Sequence, residues 1–333
     1  MPASHTLSDD RPIPYDLFQA PRGQLEAQRA RKLESIYHKG QDRIWDGQEM
    51  LKTLMEKHGG IHVKPEHRES LRYVLSLLMW GEYAAWRVSS QLADRLDMKE
   101  ARMAACSQSH DEARHFYVLH DYIQAMGVEP VEPRPWGRRL IEMTLRTEDV
   151  NCKLLGMQLL IEMSALAMFK GLREARVDGV LSDILPYYER DEARHVGLGT
   201  QLLPETMEGA SPLYEARFNQ FAFRLFFCII NELREMEDEL RTLGINPRNV
   251  IQTAKDRNFQ IFRDMRDAGR EERRVDVLNC FVDTTIEAIF PLFARGQTPV
   301  ERARGLGRAA WNGIKPADRR VEYNLRYTAD EIL

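Results

Sequence analysis

An all-α fold built round a four-helix bundle is predicted by three observations. Apolar residues recur at three- and four-residue spacing through four long stretches: 65 to about 97, a second from soon after that to 126, then about 149–175 and 179–203. The pentapeptide Asp-Glu-Ala-Arg-His occurs twice, at 111–115 and 191–195, each time within such a stretch. No segment shows the two-residue alternation of a strand.

The chain has 333 residues, 43% hydrophobic and 29% charged, enough for a large core. A net charge of -4 argues against a general nucleic-acid or membrane-surface footprint. Apolar runs such as 221–231 are broken by Arg or Asn, so no membrane span is expected. The start, MPASHTLSDDRPIPYD, lacks the basic-then-apolar order of a secretory signal. Four scattered cysteines with no CxxC pair point to reduced thiols and a cytoplasmic location, and against a rubredoxin-type iron site.

Taken in order, residues 1–22 hold four prolines and read as an extended arm. A helical pattern runs from Gln24 to His58, with a break at Asp46-Gly47, and Gly59-Gly60 stops it. Pro65 suits the first turn of the first bundle helix, which ends near Asp97. The second runs to Met126, with Gly127 as its cap. Three prolines in 128–135 mark the long crossover, and 136–146 is a short helix. The third bundle helix spans 149–175 and the fourth 179–203, where Pro186 predicts a kink or short break. Short links within each pair and a long link between pairs suit two antiparallel pairs. Three further helices are expected at 213–243, 248–268 and 274–295, the first apolar on more than one side. The domain reading is an arm and helix at 1–60, the bundle at 61–210, accessory helices at 211–296 and an extended tail at 297–333.

Within each pentapeptide Glu and His are three apart, so both project from one helix face. Thirty residues before each such Glu lies another on an apolar stripe: Glu82 before Glu112, and Glu162 before Glu192. The whole second set follows the first by 80 positions, with His195 matching His115. One ExxH is a weak signal; the paired set is a strong one. Four buried carboxylates would repel one another, and two cations remove that penalty. Carboxylate oxygens with one imidazole per metal suit two iron ions, or manganese and iron, with open positions for O2 as co-substrate. By symmetry Glu82 and Glu162 would be terminal ligands, Glu112 and Glu192 bridging ones, and His115 and His195 would bind one metal each. Asp111 is expected to reach His195 across the bundle and Asp191 to reach His115, with Arg114 and Arg194 neutralising both aspartates. Tyr188, one turn before Glu192, could donate to a ligand or to bound oxygen. Trp86, Phe116, Leu166, Phe169 and Gly199, with Leu78, Ala85, Leu159, Ala165 and Val196, are candidate pocket residues. Gly199 would leave a gap for a ligand or a neighbouring side chain.

This pattern resembles the ferritin-like di-iron carboxylate proteins. These include multicomponent monooxygenase hydroxylases, acyl-carrier-protein desaturases, ribonucleotide reductase small subunits and ligand-binding oxidases. The resemblance covers about residues 66–205 and implies a ferritin-like four-helix bundle. Departures narrow it. Leu119 stands where the reductase subunits carry a radical tyrosine, and Glu82 where they usually have Asp. Tyr188 stands where arylamine N-oxygenases add a histidine, and Leu166 where the methane and toluene monooxygenases have threonine.

The leading expectation is an O2-dependent di-iron oxidoreductase, monooxygenase-like, that hydroxylates, desaturates or otherwise oxidises a mostly apolar organic or acyl substrate. No flavin or iron–sulfur motif is visible, so an external reductase or ferredoxin would supply electrons. The resemblance also implies a homodimer. The alternatives are a Mn/Fe ligand-binding oxidase holding a fatty acid, and a metal-handling or peroxide-scavenging protein without an organic substrate. A closed bundle with no cavity beside the metals would favour the last.

Overall fold

The computed structural model describes residues 22–247 and 250, then 298–301, 303, 304 and 307. The expected helices at 248–268 and 274–295 and nearly all of the N-terminal arm lie outside the described residues. The chain divides into two compact units, Met1–Asn258 and Phe259–Leu333. In the second, residues 299–301, 303, 304 and 307 are helical, which corrects the expected extended tail there. The cause is a capping box: Glu301 Oε2 accepts from Thr298 N (2.8 Å), and Thr298 Oγ1 accepts from Glu301 N (3.3 Å).

Helices α1 (Gln24–Asp42) and α2 (Gly47–His58) open the first unit. The Asp46 side chain starts α2 by accepting from Glu49 N at 2.9 Å, and Gly59 ends it in the left-handed conformation, φ 73°. The long helix α3 (Pro65–Arg95) has Pro at its first turn, and α4 (Lys99–Ala125) follows after a short link. Gly127, φ 75°, turns the chain into the crossover, which holds α5 (Pro135–Arg146). The third long helix is composite: α6 (Val150–Lys153), a π-helical segment η1 (Leu154–Ile161) and α7 (Glu162–Ala175). Helix α8 (Gly179–Thr206) begins at Asp178, whose side chain accepts from Leu181 N, from His62 N and from the Tyr122 hydroxyl. It runs unbroken through Pro186 and Pro204. The exposed Pro186 lies between buried Leu185 and Tyr188, and the packing of that inner face carries the helix past the missing N–H. The expected helix at 213–243 is two, α9 (Pro212–Glu235) and α10 (Glu237–Thr242), meeting at Met236. No strand occurs among the described residues.

In the bundle α3 packs on α4 and α7 on α8, while α4 and α8 meet across the middle. Helix α1 lies against α4 and α8, α2 against α8, and α5 against α3 and α9. Leu71, Leu75, Leu92, Leu119, Leu154 and Leu185 are almost wholly buried. Each such side chain is worth about 1.5–3 kcal/mol of hydrophobic stabilisation. The run Val150–Ala175 is long and apolar enough to cross a membrane by length and composition, unlike the runs the sequence reading weighs. Its most apolar stretch is 83% buried, as a core helix of the bundle is.

Candidate metal centre

Each bundle helix contributes one buried glutamate: Glu82 from α3, Glu112 from α4, Glu162 from the first turn of α7 and Glu192 from α8. The i, i+3 spacing brings His115 beside Glu112 and His195 beside Glu192. The π segment ends at Ile161, so Glu162 leaves the helix at the point where normal winding resumes. Such π stretches recur at functional sites. Nothing in the periodicity of the leucine-rich 154–161 run separates a π turn from an α turn.

Both imidazoles turn Nδ1 inward. His115 Nδ1 lies 3.3 Å from Glu82 Oε2, 3.3 Å from Glu112 Oε2 and 3.0 Å from Glu192 Oε1. His195 Nδ1 lies 2.9 Å from Glu112 Oε1, 3.1 Å from Glu192 Oε2 and 3.9 Å from Glu162 Oε2. Two groups of four follow: Glu82, Glu112, His115 and Glu192; and Glu112, Glu162, Glu192 and His195. Within each, the ligand atoms all lie within 4.8 Å of one another. Glu112 and Glu192 belong to both groups and turn one oxygen to each imidazole. Glu82 and Glu162 belong to one each.

Behind the imidazoles, His195 Nε2 faces Asp111 Oδ2 and His115 Nε2 faces Asp191 Oδ2, each at 3.4 Å. Arg114 Nη2 donates to Asp111 (2.6 Å) and Asp191 (3.0 Å). Arg194 donates to the same pair, at 2.7 Å to Asp191 and 2.8 Å to Asp111. Two buried aspartates and two buried arginines thus close a crossed square beneath the site.

Trp45, from the break between α1 and α2, also belongs here. Its indole N–H donates to Asp191 Oδ2 at 2.8 Å, and the Arg114 guanidinium lies 4.7 Å above its ring. A tryptophan at a helix break carries no periodic signal, so sequence reasoning missed it. Gln108, buried on α4 one turn before Glu112, is a further residue of the site. Its side-chain amide donates to Glu162 Oε1 (2.7 Å) and Glu112 Oε1 (3.0 Å), and Gln158 Nε2 donates to its oxygen (3.3 Å).

Electrostatics separate the four glutamates. Burial, then repulsion from neighbouring carboxylates, pushes Glu82 and Glu162 well above the usual carboxylate range. Burial pushes Glu112 up as well, but the two imidazoles outweigh it and hold that carboxyl well below its ordinary value. Glu192 is lowered too, against burial and Glu112 repulsion, by its hydrogen bond with Glu162 and by the imidazoles. Burial would lower both histidines, yet the surrounding carboxylates raise His115 and His195 well above the ordinary imidazole value. Asp111 and Asp191 are depressed despite burial by the imidazoles and arginines that face them.

A pair of cations fits these residues. Glu112 Oε2 and Glu192 Oε1 are buried and have no hydrogen-bond partner. Both lie beside the inward nitrogen of His115, at 3.3 and 3.0 Å. Buried carboxylate oxygens are left in this condition at a substantial cost unless something else binds them. One imidazole nitrogen with carboxylate oxygens in each group is a donor set for iron or manganese.

The other expected residues fall elsewhere. The Tyr188 hydroxyl donates to the His115 backbone carbonyl at 2.9 Å, and its ring stacks on the His115 imidazole with centroids 4.2 Å apart. Its proton therefore orients the histidine's segment instead of pointing to bound oxygen. Trp86 and Phe116 sit 6.5 Å apart in an aromatic cluster with Trp80 and Tyr83. Phe169 packs on Tyr188, and Leu166 is core. At Gly199 a Cβ would come within 2.7 Å of Gln158 Cβ, so close packing against the π segment fills the expected gap. Glu189, one turn before Glu192, is half-buried and pairs with Arg173 at 2.6 Å.

A cavity of about 90 Å³ does lie beside the site, on the α3–α7 side. Leu78, Ala85 and Ala165, of the expected residues, line it, together with Glu82 and Glu162. Trp86, Phe116, Leu166, Phe169 and Gly199 are not among its lining residues. The other walls are Leu77, Gly81, Ile161 and Met168, then Leu140 and Ile141 of α5, and Ile229, Glu232 and Leu233 of α9. The helices that close it come from the crossover and the region after the bundle, which the twofold sequence pattern does not reach.

No protein-family model matches the chain, and no curated protein matches it in sequence. Solved structures do. A Synechococcus protein with aldehyde deformylating oxidase activity superposes with a TM-score of 0.54 at 17% identity, covering 65% of this chain and 96% of that one. A variant of an R2-like ligand-binding oxidase, aerobically reconstituted with an Fe/Fe cofactor, gives 0.56 at 15% identity over 68% of this chain and 92% of that one. Another variant, carrying a Mn/Fe cofactor, gives 0.55 at 17% over the same shares. The chain thus has the ferritin-like helical-bundle fold of these oxidases, and at its centre it brings together two buried carboxylate–histidine groups able to hold a pair of metal ions.

Proposed function

We propose that this protein is an O2-dependent di-metal oxidase, with two irons, that oxidises a small, mostly apolar organic molecule. The observation that carries the reading is the apolar cavity whose wall includes Glu82 and Glu162, the two glutamates that each belong to one group alone. A protein that only handled metal or scavenged peroxide would have no use for an apolar pocket there. The fold neighbours are oxidases, which supports the same reading.

In this proposal residues 61–210 form the catalytic bundle, α1 and α2 cover it, and α9 supplies part of the far cavity wall. Glu82, Glu112, His115, Glu162, Glu192 and His195 would hold the metals, Glu112 and Glu192 being the residues common to both groups. When bound, the metals supply the electrons that reduce dioxygen and so the oxidant for the substrate. The chain's own residues do the rest. Asp111 and Asp191 each accept the Nε2 proton of an imidazole, which fixes Nδ1 as the ligating nitrogen. Arg114 and Arg194 hold those aspartates ionised. Gln108 orients the Glu112 and Glu162 carboxylates through its amide. Leu77, Leu78, Ile161 and Met168 exclude water from the side on which the substrate sits. Electrons come from a separate donor, and the protein works as a cytoplasmic homodimer.

The test is single-turnover. Protein loaded anaerobically with two ferrous ions is exposed to dioxygen with and without a panel of small aliphatic compounds, and products are read by mass spectrometry. Oxygen uptake that yields an oxidised organic product, and is lost in Glu82→Ala, is expected. Uptake that only deposits ferric iron, with every organic compound returned unchanged, would refute the proposal.

A further inference from the structure

The cavity beside the site contains a third carboxyl group that the metal centre does not use. Glu232 of α9 is 3% exposed and lines the same cavity as Glu82 and Glu162. Its Oε1 accepts from the Tyr73 hydroxyl at 2.5 Å, and its Oε2 accepts from the backbone N–H of Gly137 at 2.8 Å. Tyr73 precedes Glu82 on α3 by nine residues, about 14 Å along the helix axis at 1.5 Å per residue. Glu232 therefore marks the end of the cavity remote from the metals.

The surroundings are built to receive this group. A Cβ on Gly137 would stand 3.2 Å from the Glu232 carboxyl carbon and 2.8 Å from Leu77 Cδ1, so the absence of a side chain there lets the carboxylate reach the start of α5. Arg134, the residue before α5, has no capping side-chain bond of its own. Its guanidinium lies 4.0 Å over the Tyr73 ring and donates to the Glu235 carbonyl at 2.6 Å and to Glu239, outside the cavity. Burial and the Glu235 charge push the Glu232 carboxyl up, and its two donors, with the Arg134 charge, pull it only part of the way back. Each carboxyl oxygen keeps a lone pair beyond the one already engaged.

Apart from its three glutamates and Ser164, the described lining is apolar or glycine, and it includes no Lys, Arg or His. An anionic head at the far end would meet a buried carboxyl, while the nearby cation, Arg134, stands outside the lining and is already engaged by Glu235 and Glu239. An apolar tail would leave the remaining lone pairs of Glu232 unpaired. A hydroxyl or ammonium group would donate to them.

Resting on the oxidase reading above, we infer that Glu232 is the specificity-determining residue of this cavity, and that the substrate class is an aliphatic alcohol or amine whose hydrogen-bond donor sits at Glu232 while its chain points to the metals. Recognition works in both directions: one acceptor for the right end, and repulsion against a carboxylate.

The experiment is isothermal titration of the metal-loaded, full-length protein with hexanol, hexylamine and hexanoate at neutral pH. The alcohol and the amine are expected to bind at least about tenfold more tightly than the acid, a difference of about 1.4 kcal/mol. In Glu232→Gln, which keeps an acceptor oxygen, the amine should lose its advantage while the alcohol still binds. In Glu232→Leu the preference over hexanoate should disappear. Tyr73→Phe, which leaves the carboxyl in place, should retain the order and guards against misfolding of the other two. Hexanoate binding as tightly as hexylamine to the unaltered protein, or an order that survives in Glu232→Leu, overturns this inference alone. Failure of all three compounds to bind overturns it together with the proposed substrate cavity. Oxygen uptake without product, in the single-turnover test, strikes only the oxidase reading.

Discussion

Replacing Asp111 with asparagine removes one corner of the square beneath the site while keeping its shape. Asp111 accepts from Arg114 at 2.6 Å and Arg194 at 2.8 Å, and faces His195 Nε2 at 3.4 Å. Both arginines are buried, at 5% and 8% exposure, so neither can turn to water when its partner loses charge. Removing one member of a buried, paired set costs about 3–5 kcal/mol. Asp191 still compensates both arginines, so the lower end, about 3 kcal/mol, applies here. For a chain of 333 residues that lowers the melting temperature by roughly 4 °C, at about 2.1 cal/mol/K of unfolding entropy per residue. A second effect is separate: the amide introduced by Asp111→Asn can donate towards His195, which disturbs the tautomer that leaves Nδ1 free. Such changes cost about 10- to 100-fold in metal affinity. Asp191 has two further donors, Trp45 at 2.8 Å and Arg190 at 3.2 Å, so Asp191→Asn should be the more damaging of the two. The assays are thermal unfolding and metal competition with a chelator of known affinity. A melting temperature within about 1 °C of the parent, with unchanged chelator competition, would show that the square is ornamental to both stability and metal binding.

Three further outcomes follow from the same geometry. In His195→Ala, metal content measured by elemental analysis should drop from two ions per chain to one or fewer; retention of two would refute the ligand assignment. Metal uptake should release protons and weaken as pH falls. His115, His195, Glu82 and Glu162 all hold their protons to higher pH than free groups do, so protons compete with cations across the neutral and mildly acidic range. Uptake in weak buffer, followed by a pH indicator, checks this, and an absence of proton release contradicts it. Gly199→Ala places a methyl 2.7 Å from Gln158 Cβ and 3.1 Å from Leu159 Cδ2, so α8 must shift against the π segment. The expected cost is about 1–3 kcal/mol by denaturant unfolding, and a neutral effect would show that the helices separate freely.

Much of the architecture was legible because the bundle repeats itself. The spacing of Glu82, Glu112 and His115 recurs 80 residues later, and helical periodicity then assigns all six side chains to inner faces. Asp111, Asp191, Arg114 and Arg194 were legible for the same reason, since each lies one residue from a glutamate or a histidine of that set. What escaped was whatever breaks the repeat. Trp45 reaches Asp191 from a four-residue break, where no periodicity exists to place it. The π segment has no counterpart among the described helices. The pocket residues were chosen by nearness in sequence to the ligands, which favours the bundle's own stripes. The observed cavity instead lies between the bundle and helices α5 and α9, a tertiary pairing that spacing alone does not specify. The helical turn after Thr298 was within reach, since Thr-Pro-Val-Glu has the capping-box form with Pro at the first helical position.

Counting metals in the purified chain, with the magnetic state read from the same sample, reaches the heart of this account. After ferrous loading and exposure to air, two ions per chain are expected, close enough to couple antiferromagnetically and silent in electron paramagnetic resonance. One ion per chain, or two that give separate, uncoupled signals, would contradict a shared centre built by these six residues.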